Sequence, residues 1–148
     1  MSALTAAVAR RFEGEQEETE ALVAASDIYY KGGVLVGQIG GGGYAEVPSD
    51  TAAQVALGII SGIWSDGDRV DAKTVAASSH PGVILRCGKV WLPLASVAQT
   101  DCFKLAYLLD DGTLTLTAGS KTVGYQIKKV DATNALALVD LRKPDRIA

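Results

Sequence analysis

Short runs of apolar and β-branched residues, separated by turn residues, make up most of the chain from about residue 27 onward. Such runs, rich in Val, Ile and Leu, occupy 34–39, 55–60, 83–86 and 89–92. Residues 113–117 and 122–128 alternate between apolar and polar side chains, which is the period of a half-buried strand. Turn residues separate the runs at intervals of roughly 8–12 residues, a spacing typical of antiparallel sandwiches and barrels.

Three glycine-containing turns indicate how the predicted strands connect. Asp111-Gly112 lies between two apolar runs, and a two-residue Asp-Gly loop suits the twist of a hairpin. Gly40–Gly43 is predicted to be the flexible tip of a second hairpin, between 34–39 and a strand at 44–47. Cys87-Gly88 indicates either a tight reversal or a β-bulge. The intervening residues 65–82 are polar and predict a long surface excursion.

The run at 135–139 is apolar on both faces. Such a strand is either central in the fold or covered on its outer face by a partner subunit. We therefore predict that Leu136 and Leu138 contribute to an oligomer interface. Since turns rather than helical crossovers join the strands, the expected fold is mainly β, a small antiparallel β-barrel or sandwich.

The first 26 residues differ in character from the rest of the chain. They are rich in Ala and Glu and show no strand pattern, although Leu4, Val8 and Phe12 recur at a spacing that allows a short amphipathic helix. Gly14 and the Glu residues after it interrupt that pattern. We predict an extended N-terminal arm at 1–26, loose until it meets a surface, ahead of a body at 27–148. An ordinary frayed terminus is the alternative.

Composition and charge narrow the class of protein. The 148 residues are 48% hydrophobic and 21% charged, which fits one globular domain. The net charge of −3 resides in the first 26 residues and argues against a nucleic-acid partner. No apolar run reaches the roughly 18 residues of a membrane span, and no secretory signal is recognisable. The chain is therefore expected to be made in the cytoplasm, with no membrane partner.

Two stretches resemble phosphate-binding motifs but lack their essential parts. The Gly40–Gly43 run is followed by a predicted strand, whereas a phosphate cradle needs a helix N-terminus there. Lys121-Thr122 resembles the end of a Walker motif, but Ser120 and Thr115 stand where that motif requires glycine. Both stretches are better explained as turns.

Catalytic and metal-binding side chains are also sparse. His80 is the single histidine, and Cys87 and Cys102 are the only cysteines, at a spacing that matches no zinc pattern. We expect two reduced thiols, and we assign Trp64 and Trp91 to the core or an interface. The sequence thus predicts a non-enzymatic protein with no catalytic, cofactor or metal site.

A series of motifs in a fixed order carries a family resemblance over nearly the whole chain. They are Ala3-Leu4-Thr5-Ala6, the segment 23–36, Gly43-Tyr44-Ala45, Leu57-Gly58-Ile59, Lys89-Val90-Trp91-Leu92-Pro93, the segment 106–114, Val123-Gly124 and Val139-Asp140-Leu141. In this order and spacing the chain resembles the decoration (cement) proteins of tailed-phage capsids.

The resemblance implies a structural virion protein on the capsid exterior, bound to the major capsid protein and usually trimeric. It also implies that the N-terminal arm runs over the shell and reinforces it. We predict the capsid-binding residues of the arm to be Leu4, Val8, Arg10, Arg11, Phe12 and Leu22. The alternative is a receptor- or carbohydrate-binding β module of a phage fibre or tail, which exposed aromatic patches would favour.

Overall fold

Two antiparallel sheets and a short ribbon form the body of the chain. The computed structural model describes residues 4–25, 27–64, 67–72 and 80–146. The strands are β1 (Phe12–Leu22), β2 (Ile28–Tyr30), β3 (Val34–Gln38), β4 (Gln54–Ile63), β5 (Arg69–Asp71), β6 (Gly82–Pro93), β7 (Leu105–Leu108), β8 (Leu114–Thr115), β9 (Val123–Gln126), β10 (Lys129–Asp131), β11 (Leu136–Asp140) and β12 (Asp145–Arg146). One 3-10 turn spans Gln99–Asp101. The predicted mainly β class is confirmed.

The long strand β6 organises the larger sheet. That sheet follows the order β10-β11-β6-β4-β3, with β1 paired to β6 as well. Along one edge β6 pairs first with β4 and then with β11, and along the other edge it pairs with β1. The second sheet has the order β12-β9-β7-β8, and β2 and β5 form the ribbon. The result is a sandwich, not a closed barrel.

Two apolar clusters hold these layers together. The first lies between the two sheets and joins residues such as Val36, Val90 and Val139 to Leu108 and Tyr125. The Tyr125 hydroxyl, in this cluster, accepts a hydrogen bond from the backbone N–H of Ala56 at 2.8 Å. Burial raises the pKa of Tyr125 to about 12, so this hydroxyl stays neutral at physiological pH.

The second cluster lies on the opposite face of the larger sheet, under the β2–β5 ribbon. It includes Tyr29 and Val70 of the ribbon and Val83 and Leu85 of β6. Val23, which directly follows β1, is completely buried here. The larger sheet is therefore covered on both faces near its centre, as expected for a strand such as β6 with apolar residues on both sides.

Two predicted turns differ from those in the structure. Residues 83–92 belong to a single strand, so Cys87-Gly88 is not a reversal. The bulge lies in the partner strand, between Glu13 and Gln16. Strand β3 pairs with β4, and the predicted strand at 44–47 is reduced to two isolated bridges, Val23 with Ala45 and Val36 with Glu46.

The Asp111-Gly112 hairpin is confirmed, with β7 and β8 in antiparallel register. Its tip is buried rather than exposed, since Asp111 is only 1% exposed. Of the polar excursion predicted at 65–82, residues 69–71 form β5, and 65, 66 and 73–79 lie outside the described residues.

Candidate interaction surface

The residues before β1 fold back over the chain's own body. In this N-terminal segment, residues 4–11, the Leu4 N–H donates to Asp111 Oδ1 at 3.2 Å, and the Val8 N–H donates to the Lys31 carbonyl at 3.0 Å. Gly32 lies directly beneath Val8, and a methyl group there would overlap the Val8 carbonyl oxygen. Because glycine leaves this space empty, the segment can lie close to the sheet.

Arg10 fixes the middle of the N-terminal segment. Its Nε donates to the Gly32 carbonyl at 2.9 Å and its Nη2 to the Gly112 carbonyl at 3.3 Å. Burial lowers the pKa of Arg10, and the charges of Asp111 and Asp110 oppose that shift. The guanidinium thus joins the hairpin tip to the loop before β3.

The junction between the N-terminal segment and β1 is held by Trp91. The Arg11 guanidinium lies 4.3 Å from the centre of the Trp91 ring, and Trp91 Nε1 donates to Glu13 Oε2 at 2.6 Å. That hydrogen bond, together with the charges of Lys129 and Arg11, holds the pKa of Glu13 below its usual range. The start of β1 is therefore fixed by both charge and stacking.

These contacts revise the prediction of a loose arm with a possible helix. Residues 12–22 form a strand, and the N-terminal segment is docked on the body. Of the six predicted capsid-binding residues, five contact the body of the chain: Leu4, Val8, Arg10, Arg11 and Phe12. Leu22 lies at the end of β1, and its side chain is 40% exposed. The acidic sequence concealed the strand, because Glu and Gly have low strand propensity.

Strand β1 has one open edge. Val23 donates its N–H to the Pro81 carbonyl, toward β6, whereas Leu22 presents its carbonyl to Ala45 on the other side. Because inward and outward pairs alternate in an antiparallel ladder, the backbone groups of Glu18 and Glu20 point away from β6. Within the described residues, β1 pairs with no second strand.

The open edge is strongly acidic. Four carboxylate side chains of β1 are exposed: Glu15, Glu17, Glu18 and Glu20. Like charges on an edge strand disfavour pairing with a second copy of the same strand, and they favour a basic partner strand.

One face of the sheet beside this edge is apolar and exposed. Leu22 lies opposite Gly82 in the β1–β6 register, and the Trp64 ring covers the position that a Gly82 side chain would take. Trp64 is 56% exposed, and Ile84, on the same face, is half-buried. We call this surface the open face, defined by Leu22, Trp64, Ile84, Glu18 and Glu20.

A stacked pair of rings lies at the same end of the sheet. The Tyr44 and His80 rings are 3.7 Å apart between centroids and nearly parallel, at 11°. His80 Nδ1 lies 3.1 Å from the Val23 carbonyl, which fixes the imidazole against the chain. His80, which we predicted to be a loop residue without a catalytic role, thus supports an exposed aromatic ring.

A cavity of about 440 Å³ separates the N-terminal segment from the larger sheet. Its walls are mainly apolar, and its charged side chains are Arg10, Lys31 and Arg86. The Arg86 guanidinium lies 5.3 Å from the centre of the Phe12 ring. The volume is in the range of small-ligand sites.

The two side chains of the predicted oligomer interface at β11 differ in exposure. Leu138 is only 2% exposed within the single chain, and Leu136 is half-buried. In register, Leu138 lies opposite Trp91, and Arg11 covers Trp91. The burial of Leu138 therefore arises within the single chain, beside Trp91.

Reactive side chains are not concentrated in one place in the described part of the chain. No group of three or more His, Cys, Asp or Glu residues there could hold a metal ion. Both cysteines are free thiols, and burial, helped by the Asp140 charge, raises the pKa of Cys87 to about 11. That thiol is therefore protonated and weakly nucleophilic at neutral pH. No helix among the described residues has the length and apolarity to cross a membrane.

Comparisons of the chain with protein-family models, with curated proteins and with solved structures find no match in any of the three.

Proposed function

We propose that this chain is a structural virion protein that binds the outer surface of a tailed-phage capsid and reinforces it as a decoration protein. The order of motifs along the sequence supports the family. The structural observation that carries the proposal is the open edge of β1, an eleven-residue strand that pairs on one side only within the described residues. The site of the protein would be the capsid exterior.

The open edge suggests how the capsid is held. Its outward backbone groups, at Glu18 and Glu20, would pair with an extended segment of the major capsid protein by strand addition. The exposed carboxylates favour a basic segment, which gives the contact both register and charge complementarity. In this proposal the capsid-binding surface lies at residues 16–20 rather than over the whole predicted arm, because the Leu22 carbonyl already accepts from Ala45.

Self-association as a homotrimer is part of the same proposal. The resemblance implies a trimer, and the open face offers Leu22 and Trp64 as exposed apolar side chains for subunit contact. The acidic open edge would stay available, because its like charges disfavour pairing between copies. Sedimentation of the free protein tests this part, with a trimer expected and a monomer at high concentration contradicting it.

Co-sedimentation of the protein with empty capsids of the phage whose genome encodes this chain tests the proposal as a whole. We expect saturable binding that weakens as salt rises, because exposed charges are screened beyond about 8 Å at physiological ionic strength. A protein that stays in the supernatant at low salt with intact, expanded shells would overturn the assignment. A nucleic-acid-filled capsid serves as a second sample in this experiment. It should bind the protein as tightly as an empty capsid does, since the proposed contact lies on the outer surface.

A second candidate function rests on the exposed aromatic side chains. Trp64 and the Tyr44–His80 stack lie at one end of the sheet, and flat exposed rings are suited to contacts with sugar rings. A receptor- or carbohydrate-binding module would lose saccharide binding in Trp64→Ala and keep it in Phe103→Ala, the matched exposed aromatic. Absence of any saccharide binding by the native chain would eliminate this candidate.

A further inference from the structure

The cavity under the N-terminal segment has an uneven distribution of charge. Arg10 is engaged by the Gly32 and Gly112 carbonyls, which leaves Lys31 and Arg86 as its other cations. Neither makes an ion pair with a carboxylate anywhere in the described part of the chain. No acidic side chain among the described residues lines the cavity.

The remaining lining is apolar. Val8 and Phe12 contribute from one side, and Ile59 from the floor of the sheet. Ile59 and Arg86 are register partners of β4 and β6, so their side chains project from the same face of the sheet. An apolar floor therefore continues directly into a cationic rim.

We propose that this cavity binds an apolar chain that carries one carboxylate. The apolar chain lies against Val8, Phe12 and Ile59, where it displaces water from apolar surface. The carboxylate lies at the Lys31 and Arg86 head groups, whose N–H donors then gain charge-assisted hydrogen bonds. This site adjoins the open edge proposed to hold the capsid, since Glu18 of that edge is the register partner of Arg86.

Glu18 competes with such a ligand. It lies opposite Arg86 in the β1–β6 register and on the same face, although the two form no ion pair. Its negative charge lowers the attraction of Arg86 for a second carboxylate. Removal of this charge by Glu18→Gln should therefore tighten binding of the anionic ligand, an effect that a purely apolar cavity would not show.

The test uses the full chain and three eight-carbon probes that differ in head group: octanoate, octan-1-ol and octylammonium. Binding is followed by NMR through the methyl groups of Val8 and Ile59, which line this cavity. We expect octanoate to bind about a hundredfold more tightly than octan-1-ol, the gain of one charge-assisted hydrogen bond at each of Lys31 and Arg86. Octylammonium should bind most weakly.

Charge variants locate the carboxylate. Arg86→Gln and Lys31→Gln should each weaken octanoate binding about tenfold and leave octan-1-ol unchanged. Lys89→Gln removes an exposed cation of β6 that does not line the cavity, and should have no effect. If Arg86→Gln fails to fold, Lys31→Gln alone decides the point.

A peptide probe distinguishes two sources of such a ligand, a segment of a partner chain and a free carboxylate. Acetyl-Leu-Glu-Leu-amide carries a carboxylate among apolar groups as a segment of a partner chain would. Tighter binding of the peptide assigns the cavity to a chain segment, and tighter binding of octanoate assigns it to a free carboxylate. Octylammonium binding as tightly as octanoate, or octanoate binding unaffected by both charge variants, would overturn the proposal.

Discussion

Glu13 Oε2 accepts a hydrogen bond of 2.6 Å from Trp91 Nε1 at the point where the N-terminal segment becomes β1. The bond joins an acidic strand of weak intrinsic preference to the longest strand of the larger sheet. It also positions the Trp91 ring beneath Arg11. The open edge that we propose as the capsid contact thus depends on a side-chain contact at its first residues.

The Glu13 contact predicts a specific pH dependence of stability. The pKa of Glu13 is lowered in the folded state, so its contribution is present above the unfolded pKa of about 4.3 and is lost as pH falls through the folded value. Glu13→Gln should destabilise the protein at neutral pH, and the difference should shrink below about pH 4.

Urea unfolding at several pH values measures this difference. Glu15→Gln removes the same charge from an exposed position in the bulge and serves as the control, with little effect at any pH. A gap between native and Glu13→Gln that stays constant or widens in acid would contradict the role given to Glu13.

Docking of the N-terminal segment predicts unequal costs at two glycines with positive φ. Gly14, at φ 69°, faces open space, whereas Gly32, at φ 91°, lies under Val8. Alanine at either position incurs the left-handed backbone penalty of about 1–2 kcal/mol. Gly32→Ala should cost clearly more than Gly14→Ala, because its methyl group displaces Val8.

A double variant separates the two causes. In a chain lacking residues 2–10, the extra cost of Gly32→Ala should disappear, and its free energy of unfolding should fall by about as much as in Gly14→Ala. Equal costs of the two substitutions in the full chain would mean that the N-terminal segment is not docked on the body.

How far the sequence predicts this fold depends on which face of each strand is buried. The alternation of Val123, Tyr125 and Ile127 predicted both the strand and its inward face, and all three side chains are buried. Strand β1 has no such pattern, since most of its side chains are exposed. Its sign in the sequence is faint: an apolar run, Ala21-Leu22-Val23, lies just before the body begins.

The same reasoning applies to β11. Apolar residues on both faces showed that the strand is covered twice, but not by what. Leu138 is buried within the chain, beside Trp91, whose ring the Arg11 guanidinium overlies. Contacts between residues distant in sequence, such as Arg11 and Trp91, leave no periodic signal. The cavity at Lys31 and Arg86 was missed for this reason as well.

Substitution of Leu138 therefore tests whether this side chain belongs to the core or to an oligomer interface. Leu138→Ala should reduce the free energy of unfolding by roughly 2–5 kcal/mol, the usual range for a buried leucine. Leu136→Ala, at a half-buried position, should cost less. Sedimentation should give the same oligomeric state for both variants. If Leu138→Ala instead loses self-association and keeps its free energy of unfolding, Leu138 lies at an oligomer interface.

The central claim concerns the outward backbone of Glu20. Proline at this position removes an N–H that points to the open edge and spares the ladder to β6, because proline is tolerated on edge strands. Glu20→Gln is the matched variant that removes the charge and keeps the N–H. Circular dichroism should show the same β content in both.

Co-sedimentation of these two variants with empty capsids is the most direct measurement. If β1 adds a strand of the capsid protein to its open edge, Glu20→Gln should bind somewhat more weakly than the native chain and with a shallower dependence on salt. Glu20→Pro should bind much more weakly than Glu20→Gln, because a main-chain hydrogen bond is lost. Equal binding of the two variants would contradict strand addition at β1.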